Sequence, residues 1–250
     1  MVPGVWASRI GFELLTTRNL SPLSTLPTST HHISVPKTAR YSLSGPPPGQ
    51  GKGLLFALHG YGQLAPYFIQ KLAAVAAEGW SVVAPEGNHR FYLKGNSGRV
   101  GASWMTAEDR LSDIDDLVGM LDLVYDEILA SAQETAKTER PIVVLGFSQG
   151  VPAALRWAAM GRANFDRIIA HSGPFPTDLP EGSAPPSGWP PVDMLLGTED
   201  PYIQSVGAKK ATEMANESAA SHGIPCQVHT FTGAHHIHPP SVLGRLGLLA

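Results

Sequence analysis

The stretch Pro141-Ile-Val-Val-Leu-Gly-Phe-Ser-Gln-Gly150, continued by Val151 to Met160, decides how the chain folds. Nothing charged stands between Ile142 and Gly146, so this β-branched run predicts a strand buried on both faces. Ala153, Ala154, Leu155, Trp157, Ala158 and Ala159 predict a helix directly after it. Ser148 lies between the two. The spacing Gly146-x-Ser148-x-Gly150 suits a tight strand-to-helix hairpin, in which the central residue holds a strained backbone and its neighbours two positions away must be small where strand and helix nearly touch. Pro152 fits the first turn of the helix, where its missing N–H removes a donor that had no intrahelical partner.

On either side of this hairpin the pattern alternates strand and helix, the signature of a mostly parallel sheet with helices on both faces. Leu54–Leu58 and Trp80–Ala84 predict buried strands, with a helix over Pro66–Glu78 between them. Pro85–Met105 reads as a long irregular loop. Leu111, Ile114, Val118, Leu121, Tyr125 and Ile128 recur every three or four positions and predict a helix over 107–131, started by the capping-box spacing of Thr106 and Asp109. Beyond the hairpin come a strand over Asp166–His171, a Pro/Gly-rich loop over Gly173–Pro191, and a strand over Val192–Gly197. A helix over Val206–Ser221, a strand over Cys226–Phe231 near the sheet edge, and a terminal helix over Pro240–Leu249 complete the chain. The interval from His171 to Val192 is too short for a large cap domain. His31–Val35 and Ala39–Leu43 alternate and read as short edge strands. Residues 1–30, rich in Ser, Thr and Pro, read as a poorly ordered extension to a single domain over 31–250, with an organelle-targeting role left open.

The 250 residues carry a formal net charge of -3, a balance without the basic footprint of a nucleic-acid partner. No apolar run reaches the roughly 20 residues that span a bilayer, so no integral membrane segment is expected. The single cysteine, Cys226, excludes an internal disulfide and suits a reducing, cytoplasmic compartment. Oligomeric state stays open.

In an open parallel sheet, functional groups gather at the carboxyl ends of strands. Four such ends carry candidates: His59-Gly-Tyr-Gly62, Ser148, Asp200 and His235. A serine hydroxyl is a weak nucleophile until a base takes its proton, and His235, in Gly233-Ala-His-His-Ile237, follows a strand where it can do so. Asp200 would hold the imidazole in the right tautomer. The backbone N–H groups of Gln149 and Tyr61 are the candidate donors to the negative charge that develops on the substrate carbonyl. His236 is a rival base, and Asp193 and Asp178 are rival acids. His59 reads as a histidine bonded to neighbouring backbone that shapes its turn, and Cys226 as a packing residue. His235, His236 and His238 lack supporting ligands, so no metal or other cofactor is expected. Phe91, Tyr92, Trp104 and Met105, on the loop after Ala84, are candidates for an apolar wall of the substrate pocket.

His59-Gly-Tyr-Gly-Gln63, Gly146-Phe-Ser-Gln-Gly150, Gly197-Thr-Glu-Asp-Pro201 and Gly233-Ala-His-His-Ile237 together resemble the phospholipase/carboxylesterase family of α/β hydrolases, which includes acyl-protein thioesterases. Gly101-Ala-Ser-Trp-Met-Thr-Ala-Glu108 resembles a site-lining stretch of bacterial members. The resemblance implies an α/β-hydrolase fold and a serine esterase acting on a small-molecule ester or thioester, with Ser148, Asp200 and His235 as triad and Tyr61 and Gln149 as oxyanion donors. Short-chain carboxylesters lead the substrate classes it implies, ahead of lysophospholipids and acyl thioesters. A member of the fold that binds a small ligand without turnover is the alternative. Two features depart from the family pattern: His236 stands where a more acidic neighbour is expected, and residues 1 to about 35 have no counterpart.

Overall fold

The computed structural model describes residues 28–133, 140–180, 182–185 and 187–249. The chain divides into two units, 1–37 and 38–250. In the first, the expected extension lies outside the described residues except for 28–30. Residues 28–37 hold no strand, contrary to the reading of His31–Val35. Ile33 is 86% and Val35 72% exposed, so the alternation of that run has no face to bury.

The second unit is built on a seven-stranded sheet in the order β1-β3-β2-β6-β7-β8-β9. Its strands are β1 (Tyr41–Ser44), β2 (Leu54–Leu58), β3 (Ser81–Pro85), β6 (Ile142–Phe147), β7 (Arg167–His171), β8 (Val192–Gly197) and β9 (Cys226–Phe231). Only β1 runs antiparallel to its neighbour. Strand β9 is an edge, as its alternation predicts. Runs without polar interruption form the central strands because both faces are covered. Leu54, Phe56 and Leu58 of β2 enter one core, with α3 (Arg110–Gln133), α4 (Gly150–Met160) and α6 (Ala208–Ser221). Leu55 and Ala57 enter the other, beneath α1 (Ala65–Phe68), α2 (Ala73–Ala77) and α7 (Pro239–Arg245). The architecture is the mostly parallel α/β sheet with helices on both faces that the sequence predicts.

Three elements differ from expectation. Pro85–Met105 is not irregular: β4 (His89–Tyr92) and β5 (Val100–Ser103) pair antiparallel as a hairpin. The helix expected over 66–78 is broken into α1, a 3₁₀ turn over Ile69–Leu72, and α2. The helix expected over 206–221 begins earlier and is interrupted. A short α5 (Pro201–Val206) precedes α6, with Gly207 at φ +85° between them, a conformation that ends one helix and redirects the chain into the next.

The chain passes from β2 to β3 on one side of β2 and later returns to β6 on the other side. This reversal opens a crevice above the carboxyl ends of β2 and β6, the place where open α/β sheets bind ligands. The His59–Gly62 turn and the Ser148 hairpin lie there.

Candidate active site

Ser148 has φ +54°, one of three non-glycine residues with positive φ among those described, and its flanking glycines explain how the turn is tolerated. A Cβ on Gly146 would come within 2.3 Å of the Gly150 carbonyl oxygen, and one on Gly150 within 2.2 Å of the Leu58 oxygen. Strand, hairpin and helix therefore approach closer than any side chain permits. The Ser148 N–H donates to His171 O (2.9 Å), which ties the strained residue to β7.

His235 joins this serine to an acid. Its Nε2 lies 3.0 Å from Ser148 Oγ, and its Nδ1 lies 2.6 Å from Asp200 Oδ2. Asp200 is buried, and its other oxygen, Oδ1, accepts the Tyr202 N–H (3.0 Å) and caps α5. One carboxylate thus orients the imidazole and starts the helix behind it. Both rival acids are engaged elsewhere. Asp193 pairs with Arg167 and with His229 Nε2 (2.8 Å), and Asp178 with Arg156 and Arg110. The Arg156 and Arg110 cations outweigh the burial that would raise the Asp178 carboxyl, and hold it below the usual range. His236 is exposed, and its ring makes no hydrogen bond in the described structure.

The His59–Gly62 turn packs directly on the hairpin, since a Cβ on Gly60 would lie 3.2 Å from Ser148 Cβ. His59 is fully buried. Its Nε2 accepts the Gly87 N–H (3.0 Å), so its proton is on Nδ1, which donates to Gly60 O (2.8 Å). Burial lowers its pKa to about 4, so the ring is neutral, a brace of the turn as its sequence position implies. Among the described hydrogen bonds, none uses the N–H of Tyr61 or Gln149. The Gln149 side chain, by contrast, is fully engaged: Oε1 accepts the Trp104 N–H (3.2 Å), and Nε2 donates to Ser103 Oγ (2.9 Å) and Met105 O (3.2 Å).

The candidate wall residues lie apart from the groove beside Ser148. A groove of about 760 Å³ opens beside Ser148 and His235, but Phe91, Tyr92, Trp104 and Met105 do not line it. Because their segment folds as a hairpin, Trp104 and Met105 turn into the core. The Trp104 indole N–H donates to His59 O (2.6 Å) while its ring stacks on His59, and Phe91 packs against Tyr61. Trp104 and Phe91 thus brace the turn. The groove runs the other way, along Phe175, Met194 and Leu196 to Ile203, Val206, Ala211, Met214 and Ala215. The alternation of β8 carries part of this signal, since Met194 and Leu196 share the face toward α6. The remaining wall depends on the break at Gly207, which periodicity alone does not reveal.

Two further residues escaped the sequence reading. Glu86 is buried against Arg40 (2.7 Å), Arg90 (2.7 Å) and the Ala65 N–H (3.1 Å). Burial raises its pKa, but these partners outweigh it and the net shift is downward. His171, fully buried, sits between Phe147 and Phe231. Burial, followed by the positive ends of His238, His235 and His236, lowers its pKa to about 3. Cys226 has a thiol raised to about 11 by burial, so it stays protonated and unreactive. Among the described residues no group of three or more His, Cys, Asp or Glu side chains is placed to hold a metal ion, and no helix is long and apolar enough to cross a membrane.

Sheet order, strained hairpin and site position define an α/β-hydrolase fold. The chain matches the phospholipase/carboxylesterase family over residues 47–246 and belongs to it, which makes it a carboxylic ester hydrolase. Solved structures agree at the level of fold. Esterase PE8 is 24% identical with a TM-score of 0.59, covering 84% of this chain and 99% of its own. Acyl-protein thioesterase 2 of Zea mays is 17% identical at 0.57 (84% and 98% covered), and a phospholipase/carboxylesterase of Dyadobacter fermentans is 20% identical at 0.55 (83% and 95%). A search of curated protein sequences finds no match.

Proposed function

We propose that the protein hydrolyses carboxylic esters through a Ser148–His235–Asp200 triad and an acyl-enzyme. The observation that carries this is the unbroken row of contacts, 3.0 Å from Ser148 Oγ to His235 Nε2 and 2.6 Å from His235 Nδ1 to Asp200 Oδ2. In the attacking state the Nδ1–H donates to Asp200, and Nε2 accepts the Ser148 hydroxyl proton as its oxygen bonds to the ester carbon. The oxyanion is received by the N–H groups of Tyr61 and Gln149, which are otherwise unengaged and are braced by His59, Trp104 and the Gln149 side chain. Each such donor contributes about 3 kcal/mol to the transition state. His235 then returns its proton to the leaving alcohol, and water attacks the acyl-Ser148 with the same base.

The acyl chain occupies the groove between β8 and α5–α6. Its apolar lining and volume of about 760 Å³ favour aliphatic chains longer than the short acyl groups that lead on sequence grounds. A thioester presents the same carbonyl geometry, and a structural neighbour is an acyl-protein thioesterase. A fluorophosphonate probe tests the reading: Ser148 should be labelled and S148A should not. Absent labelling, or equal labelling of S148A, overturns it.

A further inference from the structure

We infer that Ser172 donates a hydrogen bond to the substrate's acyl group, its hydroxyl proton directed into the groove by His171. The inference rests on ester hydrolysis at Ser148 as proposed above.

The tautomer of His171 is fixed by its surroundings. A backbone N–H can only donate, and that of His238 lies 3.0 Å from His171 Nε2. Nε2 is therefore the bare nitrogen and the ring proton is on Nδ1. Nδ1 in turn lies 3.0 Å from Ser172 Oγ, so it donates there. The reverse arrangement, with Ser172 donating to Nδ1, would leave both ring nitrogens without a proton, a state the imidazole does not reach at physiological pH. The lowering of the ring's pKa to about 3 by burial agrees with a neutral ring. The consequence falls on Ser172. Its oxygen is used as an acceptor, and its own O–H proton has no acceptor among the described hydrogen bonds, although the residue is only 7% exposed.

The placement of that hydroxyl is also specified. Ser172 lines the groove beside Ser148 and His235. Its N–H donates to Leu195 O (2.9 Å), and a Cβ on the next residue, Gly173, would lie 2.2 Å from Ser148 O, so the segment is pinned against the nucleophile turn. Ser172 has φ +51°. Glycine would adopt that conformation without strain, and what serine brings in exchange is a hydroxyl.

Ser172 lines the same groove as Ser148, Met194 and Leu196, so an acyl chain that leaves Ser148 along this groove runs against the Ser172 hydroxyl. A purely aliphatic chain strips water from the Ser172 proton and leaves it unsatisfied. An acyl group with an oxygen on its third carbon, a 3-hydroxyacyl or 3-oxoacyl group, supplies the acceptor. Such a buried polar group discriminates between the two acyl types by about five- to fiftyfold.

The test compares kcat/KM for p-nitrophenyl 3-hydroxybutyrate and p-nitrophenyl butyrate, each corrected for its rate of alkaline hydrolysis. The intact protein should prefer the hydroxy ester by about tenfold, and the preference should fall to about one in S172A. S172G, which relaxes the left-handed backbone, gives the same answer if S172A folds poorly. H171F, which keeps an aromatic ring at the position flanked by Phe147 and Phe231, should lose the preference mainly through a higher KM for the hydroxy ester. A wild-type ratio near one, or a ratio that survives in S172A and S172G, overturns the Ser172 role. A ratio that survives in H171F overturns the directing role of His171. These outcomes are distinct from failure of the hydrolase reading, in which the fluorophosphonate does not label wild-type Ser148 at all.

Discussion

The two flanks of Ser148 are held by opposite means. On the hairpin side the His59–Gly62 turn is fastened by polar contacts at nearly every step. His59 bonds Gly60 and Gly87, Trp104 bonds His59 O, and the Gln149 amide spans Trp104, Ser103 and Met105. On the groove side α5 has six residues, starts on the Asp200 carboxylate, and ends at Gly207, whose Cβ position meets nothing within 4 Å. Apolar side chains form that wall, and Tyr202 and Met214 remain 77% and 49% exposed. A group that must meet developing charge gains from fixed dipoles that need no rearrangement. A surface that meets an aliphatic chain needs only shape and dryness, which deformable side chains supply. The comparison predicts that hairpin-side changes act on kcat and groove-side changes on substrate choice.

The largest effect lies where the flanks meet. S148A should abolish turnover, and D200N should lower kcat by about 10³-fold or more, while D193N and D178N keep kcat within a few-fold. Those two carboxylates hold arginines, so their loss should appear as a lower melting temperature instead. Steady-state kinetics with calorimetry on the four variants checks this. A crippled D193N beside an active D200N would reassign the acid.

Each flank also contains one buried neutral histidine, His59 and His171, and acid should act on both. Their folded pKa values, about 4 and about 3, lie below the value of about 6.5 in the unfolded chain. As pH falls below about 6.5 the unfolded state takes up protons that the folded state refuses, so stability is lost with acidification and is complete only above that pH. Between about pH 7.5 and about pH 4.5 the two rings together should cost about 5 kcal/mol. Urea unfolding at the two pH values checks this, and H171F should remove about half of the difference. A stability that stays flat down to about pH 5 would contradict the neutral, buried assignment.

The next effect belongs to the hairpin. W104F keeps an aromatic ring over His59 but removes the indole N–H that the His59 carbonyl accepts, leaving a buried acceptor unsatisfied at a cost of about 1–3 kcal/mol. Because the turn carries the Tyr61 N–H, kcat should fall by about tenfold with KM nearly constant. A change confined to KM would place Trp104 against substrate after all.

Where the sequence was readable follows from what each feature depends on. The hairpin, the serine and the strand pattern rest on contacts within a few residues, and the backbone approach at Gly146 and Gly150 leaves a direct mark as glycine. Asp200 and His235 stand out in the sequence because each follows a strand that the apolar runs identify, and the structure brings them into contact with one another (2.6 Å). The placement of Phe91 and Trp104 is not legible in the sequence, because aromatic side chains on a loop look the same whether they face a ligand or a core. The direction of Trp104 is set by pairing between β4 and β5 and by His59, 45 residues away. The groove is not legible because the sequence pattern marks a helix only from Val206, while the short α5 before it and the turn at Gly207, φ +85°, build the wall. His171 and Ser172 pass for the end of a strand until Gly173 and His238 are seen against them.

The smallest effect, and the sharpest on the groove side, concerns chain length. Ala215 lies on α6 and lines the groove with Met214 and Ala211. A215F adds a ring to that part of the wall without touching the His59 turn, the hairpin or the Asp200 cap. If the groove receives the acyl chain, a long chain loses contact area it would otherwise bury, at about 0.8 kcal/mol for each methylene displaced. Two displaced methylenes then lower the ratio of kcat/KM for p-nitrophenyl decanoate over acetate by about tenfold. The substitution stands apart from the oxyanion turn, so the rate of fluorophosphonate labelling should follow the length of the probe's alkyl chain in the same way. A decanoate-to-acetate ratio unchanged by A215F would mean that the chain leaves Ser148 past Tyr61 and Phe91, and that the polar flank, despite its dense hydrogen bonding, is also the flank that selects the substrate.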